Sequence, residues 1–253
     1  MKILITGSDG FVGKNLLKRL KYCNYYKIDL KLGSDINFIN KVRYDPDVII
    51  HLAAETSVFN NDIKKIIHTN VSGFTEVVSF ANKNNAKLIY ASSSSANNIT
   101  SMYGISKKMN EDYAKAYCNN SIGIRFHNVY GNDQRADTLL GLINSRSKLN
   151  LYNNGNNTRH FTHINNILDC IMYYVYNNIN TDIVNVLNPI KNSVIEFVQE
   201  CNKYINVDYQ ITKELKEYDK QSQKVDGTMF EKTKYINIKQ GLKKYFNEQN
   251  RTQ

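Results

Sequence analysis

The sequence predicts an α/β protein: an open parallel sheet, doubly wound with helices on both faces, with a small lobe at its C-terminal end. Three observations lead there. Short apolar runs alternate with amphipathic segments through the first half of the chain. The run at 47–52 is continuously apolar around Val48-Ile49-Ile50, as strands buried on both faces are. A glycine triplet, Gly7, Gly10 and Gly13, separates the first run from the first amphipathic segment.

Residues 2–6 read as the first strand, and Val12, Leu16, Leu17 and Leu20 follow at helical spacing. A second strand spans 25–30 with Asp29 near its end, and a third spans 47–52. Ile66, Ile67, Val71, Phe74, Val77 and Val78 mark a helix over 63–80. Strands at 87–91 and 122–126 flank a helix that opens at Tyr103 and runs through Met109, Tyr113 and Tyr117. Beyond Gly131 the pattern loosens. A helix is predicted over 138–147, a short strand at 149–152 and a polar turn at 153–158 around Gly155. Then come a helix over 164–177, a strand at 183–187, a helix over 193–204 and a tail without clear pattern.

With 42% hydrophobic and 22% charged residues among 253, one large domain or a main domain with an appendage is expected. No apolar run approaches the ~20 residues of a membrane span. The opening apolar stretch breaks at Gly7, too early for a secretory signal, so a cytoplasmic location is expected. The four cysteines are dispersed without a CxxC pair, which predicts isolated thiols and no metal site. The net charge of +10 owes much to lysines between 191 and 244, interspersed with acids and without an arginine cluster. That favours a solvated surface with some pull toward anionic substrates over a nucleic-acid partner.

Glycine is required where the backbone turns sharply and a phosphate must approach without a Cβ in the way. Placed between strand and helix, Gly7, Gly10, Phe11, Val12 and Gly13 are expected to seat a dinucleotide pyrophosphate on the helix N-terminus. The fold is then of the Rossmann type. A cofactor domain is expected over 1–160, with interleaved segments to about residue 180, and a small substrate-binding lobe over 161–253. An acid at Asp29 suits the two ribose hydroxyls and repels a 2′-phosphate, so NAD is expected and NADP disfavoured. Asp35 and Ile36 are placed beside the adenine.

Ser92 to Ser95 follow the strand at 87–91, at the carboxyl end of the sheet where α/β sites form. Tyr103 stands ten residues beyond Ser93, and Lys107 shares its helix face. The ammonium is expected to lower the phenol pKa from ~10 toward neutrality. The tyrosine would then exchange a proton with a sugar hydroxyl while hydride passes to or from nicotinamide.

In register, these segments resemble the extended short-chain dehydrogenase/reductase family, the NAD-dependent epimerases and dehydratases of nucleotide sugars. Residues 5–13, His51-Leu52-Ala53-Ala54, Asn70-Val71-Ser72-Gly73, the serine run, Tyr103-Gly104-Ile105-Ser106-Lys107, 125–131 and 159–164 carry the likeness in order. The resemblance implies Ser93, Tyr103 and Lys107 as catalytic, the last two also touching the cofactor. It places Leu52, Ala53, Ala54 and Asn70 along the cofactor, and Ser94, Ser95, His127, Asn128 and Arg159 toward a nucleoside-diphosphate sugar. Asn128 and Arg159 would meet the diphosphate, while His127, where the family usually has Phe or Ser, is expected mainly to pack. A homodimer through the 63–80 and 103–117 helices is implied as well.

The departures bear on substrate. The Ser93–Tyr103 interval is shorter than the family's, as in compact members that include capsular-sugar ketoreductases. Ser94 and Ser95 stand where 4,6-dehydratases carry an Asp-Glu pair, so dehydration is disfavoured. In the GDP-fucose-forming reductases a Cys and a His sit in the site; Ser95 takes the cysteine's place. Asp226-Gly227-Thr228 is faintly similar to the family's Asp-x-Ser-Lys segment, and Lys220 or Lys224 would replace its second diphosphate arginine. The function expected first is an NAD-dependent nucleotide-sugar epimerase acting at C4. The alternative is an NAD(P)H-dependent reductase of 4-keto-6-deoxy nucleotide sugars, and a non-catalytic NAD-binding regulator comes third.

Overall fold

A computed structural model of the chain describes residues 1–21, 23–56, 62–97, 99–216 and 225–250. Its centre is a six-stranded parallel sheet. The strands are β1 (Lys2–Thr6), β2 (Asn24–Ile28), β3 (Val48–His51), β4 (Lys87–Ser93), β5 (Ser121–Phe126) and a late strand, Ile183–Val186. Their spatial order is β2, β1, β3, β4, β5 and the late strand. The chain reverses direction of travel between β1 and β3, and the glycine loop follows β1 at that switch point, where α/β sheets bind ligands.

Strand periodicity divides the core. Ile3, Ile5, Val48, Ile50 and Ile89 face one layer, packed against Leu16 and Leu20 of α1 (Phe11–Arg19). Leu4, Ile49, Leu88 and Tyr90 face the other, with Phe74, Val77 and Phe80 of the helix that precedes β4. That helix is one continuous rod with three parts. It begins as α2 (Ile63–Ile66), passes through a π-helical stretch (Ile67–Ser72) and continues as α3 (Gly73–Lys83). The predicted single helix over 63–80 therefore carries a widened turn, and Asn70 lies within it. After β4 comes α4 (Met102–Tyr117), whose first turn is capped by Ser101 accepting from the Gly104 amide.

The rest of the chain completes the sheet and builds a third core. Its elements are β6 (Val129–Tyr130), α5 (Leu139–Asn144), β7 (Leu149–Leu151), β8 (Thr158–Arg159) and β9 (Thr162–His163). Next are α6 (Ile164–Tyr176), the late sheet strand β10 (Ile183–Val186), β11 (Asn192–Ser193), α7 (Val194–Cys201), β12 (Tyr209–Ile211) and α8 (Ile238–Gln249). Leu140, Phe161, Phe197, Leu242 and Phe246 cluster here, apart from the two sheet layers.

Two placements differ from the sequence reading. The strand at 183–187, assigned there to the lobe, is the edge strand of the main sheet beside β5, and α6 packs on the sheet with Ile167, Ile171 and Val175. A buried apolar strand delivered by a crossover helix finds its partner in the parallel sheet. The tail holds a helix, α8, started by Asn237 accepting from the Gln240 amide. Its buried stripe, Ile238, Leu242, Tyr245 and Phe246, has helical spacing, but the lysines and glutamine between these positions mask it.

Candidate active site

The carboxyl ends of β1, β3, β4 and β5 open into a cleft of about 540 Å³. The glycine loop forms one end. Gly7 has φ +69°, and a Cβ there would lie 2.5 Å from the Ala53 amide nitrogen; one on Gly13 would lie 2.3 Å from the Gly7 carbonyl oxygen. The loop thus folds tightly on itself and on the end of β3, leaving the N-terminus of α1 facing the cleft. Gly7, Gly10, Phe11, Val12, Gly13, Leu52 and Ala54 all line it. Such a cradle fits a pyrophosphate, with free amides and no side chain between.

Asp29 is buried at the end of β2, and its oxygens accept from the Asp9 amide (2.8 Å) and the Lys31 amide (2.9 Å). The carboxylate is thereby fixed against the glycine loop. Asp35 caps the next turn, accepting from Asn37 and His68, and the Asn37 amide holds its carboxyl below the usual range. The Ile36 side chain is buried in the core beneath Gly73. Asn70 is buried, and it joins both the amide and the carbonyl of Glu55 to the Ser106 hydroxyl. It ties Glu55 to α4 and lies outside the cleft lining.

At the other end β4 runs into a tight serine turn. The Ser93 hydroxyl accepts from the Ser95 amide at 3.1 Å and lies beside the Tyr103 phenol in the cleft. Gly104 makes this approach possible, since a Cβ there would come within 2.8 Å of the Ser95 carbonyl oxygen. Lys107 is fully buried; its Nζ donates to the Ala91 carbonyl at 2.9 Å and lies 5.8 Å from the Tyr103 ring centre. Ser93, Ser94, Ser95, Tyr103, Lys107 and Asn128 therefore share one cleft with the glycine loop.

The expected lowering of the Tyr103 pKa is not what the surroundings produce. Burial pushes the phenol up, and the opposing influences are the Ser93 hydroxyl and the Arg135 charge rather than Lys107. The reason is desolvation, which penalises the phenolate and outweighs the nearby donors. Burial also pushes the Lys107 ammonium down to about 8, against the pull of Glu111.

His127 and Arg159 lie outside the lining. His127 is buried with Nε2 3.1 Å from the Asn185 side-chain oxygen, and burial takes its pKa down to about 4. It packs, because Phe126 turns toward the cleft and the next residue turns away. Arg159 sits on β8 beside β11 and donates to the Thr158 carbonyl. Lys220 and Lys224 fall outside the described residues. Residues not foreseen complete the cleft: Thr56, Gln134, Arg135, Asp137 and Thr138, with Leu139, Leu140, Phe161 and Phe197 as an apolar end. Both amide atoms of Gln134 are buried without a hydrogen-bond partner. Arg135 reaches Thr56 across the cleft and pairs with Asp137 at 2.8 Å. Their one sequence signal was position, directly after the 125–131 segment.

Among the described residues no group of His, Cys, Asp and Glu suits a metal ion, and no helix is long and apolar enough to cross a membrane.

A parallel sheet with a glycine loop at its switch point, joined by one cleft to a Ser–Tyr–Lys set, defines a nicotinamide-dependent enzyme of the extended short-chain dehydrogenase/reductase type. The chain belongs to the NAD dependent epimerase/dehydratase family, whose profile matches residues 3–186. Protein CapI of Staphylococcus aureus is 31% identical over 228 residues, covering 68% of each chain. MoeE5, solved in complex with UDP-glucuronic acid and NAD, matches all of both chains with a TM-score of 0.86 and 20% identity. The UDP-glucuronic acid 4-epimerase of Bacillus cereus, solved with UDP-glucuronic acid and NAD, does so with a TM-score of 0.80 and 19% identity. At such identities the two structures speak for the fold.

Proposed function

We propose that this enzyme is an NAD-dependent nucleotide-sugar epimerase acting at C4. The observation that carries this is that Ser93, Tyr103 and Lys107 share one cleft with the glycine loop, with Ser94 and Ser95 where a dehydratase needs acids. Gly7, Gly10 and Gly13 would hold the pyrophosphate and Asp29 the adenosine ribose, which favours NAD over NADP. Nicotinamide, when bound, would supply reversible hydride chemistry. Tyr103 takes the proton of the sugar hydroxyl as the carbonyl forms and gives it back after the ring has turned, with Ser93 bonded to the same oxygen. Asn128, Gln134 and Thr138 offer hydrogen-bonding groups for the sugar diphosphate, and the apolar end around Phe161 and Phe197 suits a nucleobase.

The sheet with its glycine loop forms the cofactor half, and the core around Phe161 and Phe197 the substrate lobe. The protein works in the cytoplasm as a homodimer, with Ile67, Ile105, Met109 and Tyr117 exposed along the paired helices α2–α3 and α4. Supplying UDP-glucuronate, UDP-glucose and UDP-N-acetylglucosamine in turn with NAD tests the reading. One of them should equilibrate with its C4 epimer; conversion of none sinks it. A second reading, reduction of a 4-keto-6-deoxy nucleotide sugar, draws on the short turn between Ser93 and Tyr103, and stoichiometric consumption of reduced cofactor would mark it.

A further inference from the structure

Three elements, α4, β4 and β5, meet at one buried carboxylate. Glu111 lies on α4 one turn beyond Lys107 and is 5% exposed. Its Oε1 accepts from the Ser92 hydroxyl on β4 at 2.5 Å and from Arg125 Nε on β5 at 2.7 Å. Its Oε2 accepts from Arg125 Nη2, also at 2.7 Å. Arg125 continues to the Asp226 carbonyl at 3.2 Å, which Asn185 of β10 also reaches.

A buried ion pair is weak as a source of stability, because desolvating both charges offsets their attraction. Its place suggests what else it does. The Lys107 ammonium donates to Ala91, and Glu111 accepts from the Ser92 hydroxyl. Two consecutive residues of β4 thus grip two successive turns of α4, and Ser93 follows beside Tyr103 in the same cleft. A slip of the helix along the strand would break both bonds together.

We propose that Glu111 is a positioning residue for the Tyr103–Lys107 pair, locking α4 in register on β4 and holding a negative charge beside the Lys107 ammonium. This rests on the catalytic reading of those two residues. Tyr103 and Glu111 face Lys107 from its own helix, His51 from β3, and Arg125 from β5 behind Glu111. His51 is kept neutral, its pKa pushed down to about 3 by burial. Glu111 is therefore the one anion of this group near Lys107, and it opposes the lowering that burial imposes. Without that charge the ammonium gives up its proton at lower pH.

The test compares Glu111→Gln, the neutral pair Glu111→Gln with Arg125→Gln, and wild type. Two readouts are used: the pH dependence of kcat, and the pH dependence of trace acylation of the Lys107 amine, followed by peptide mass. The neutral pair should recover thermal stability lost in Glu111→Gln. In both variants the alkaline limb and the Lys107 labelling curve should move about one pH unit toward acid. Kcat should fall about tenfold with KM changed much less. Labelling curves and limbs that superpose on wild type would overturn the proposal, whatever happens to stability. If neither variant folds, Ser92→Ala removes one hydroxyl and leaves the ion pair; a two- to threefold loss of kcat at constant KM is expected, and an unchanged kcat contradicts it. Labelling needs no turnover, so a shifted curve in a protein that epimerises nothing would sink the proposed function alone.

Discussion

Tyr103 is the residue on which the chemistry turns. Its phenol is raised by burial and drawn back by Ser93 and Arg135, so its readiness to accept a proton depends on two neighbours. Tyr103→Phe should cost about a thousandfold in kcat, with NAD affinity by calorimetry nearly unchanged; a small loss would remove Tyr103 from the proton path. Arg135→Met takes away a lowering influence, so the pH at which the oxidation rate rises should move upward, and a downward move would contradict the assignment. Gln134→Leu keeps the volume and removes an unpaired amide from the cleft. KM for the nucleotide sugar should rise about tenfold with little change in kcat. Ser93, Tyr103 and Lys107 were legible because short local spacings place them on a strand end and a helix face, and Asn128 through the resemblance carried by residues 125–131. Gln134 and Arg135 were not, since an irregular loop takes its path from the core it crosses. The packing of His127 agrees with its expected role, since strand alternation turns it away from the side that Phe126 takes.

Among the elements, the glycine loop with β1 and α1 is the most constrained. Gly13→Ala would press a methyl onto two backbone carbonyls, at 2.3 and 2.7 Å, whereas Gly10→Ala meets one at 3.2 Å. The first should lower stability by about 2 kcal/mol and abolish cofactor binding; the second should fold normally and bind NAD more weakly. Equal behaviour of the two in thermal melts and cofactor titrations would count against the loop geometry. Strands β1, β3 and β4 were plain in the sequence because strands buried on both faces leave unbroken apolar runs. The π-helical stretch was invisible, since Asn70 reaches Glu55 and Ser106 through tertiary contacts. Helix α8 carried a readable stripe, but polar residues between its apolar positions diluted it. The position of β10 depended on partners that local sequence does not name.

For the whole molecule, four buried histidines, His51, His127, His160 and His163, set the acid limit, burial lowering the pKa of each. Burial takes His51 down to about 3, and His127 and His163 to about 4, from an ordinary value of 6.5. Above pH 6.5 folded and unfolded chains both hold them neutral, and their contribution to stability is complete. As the pH falls from there toward 4, the unfolded chain takes up protons that the folded chain refuses, and stability declines. The Tm should drop through this window, and His127→Gln should flatten the slope. The dimer proposed through α3 and α4 is checked by sedimentation of Met109→Glu, expected as a monomer. The most direct measurement is of the reaction itself. Purified enzyme with NAD and a nucleotide sugar deuterated at C4 should yield the C4 epimer with deuterium still at C4 and no net reduced cofactor. Loss of the deuterium to solvent, or stoichiometric cofactor turnover without an epimer, would contradict hydride transfer and return within one cleft.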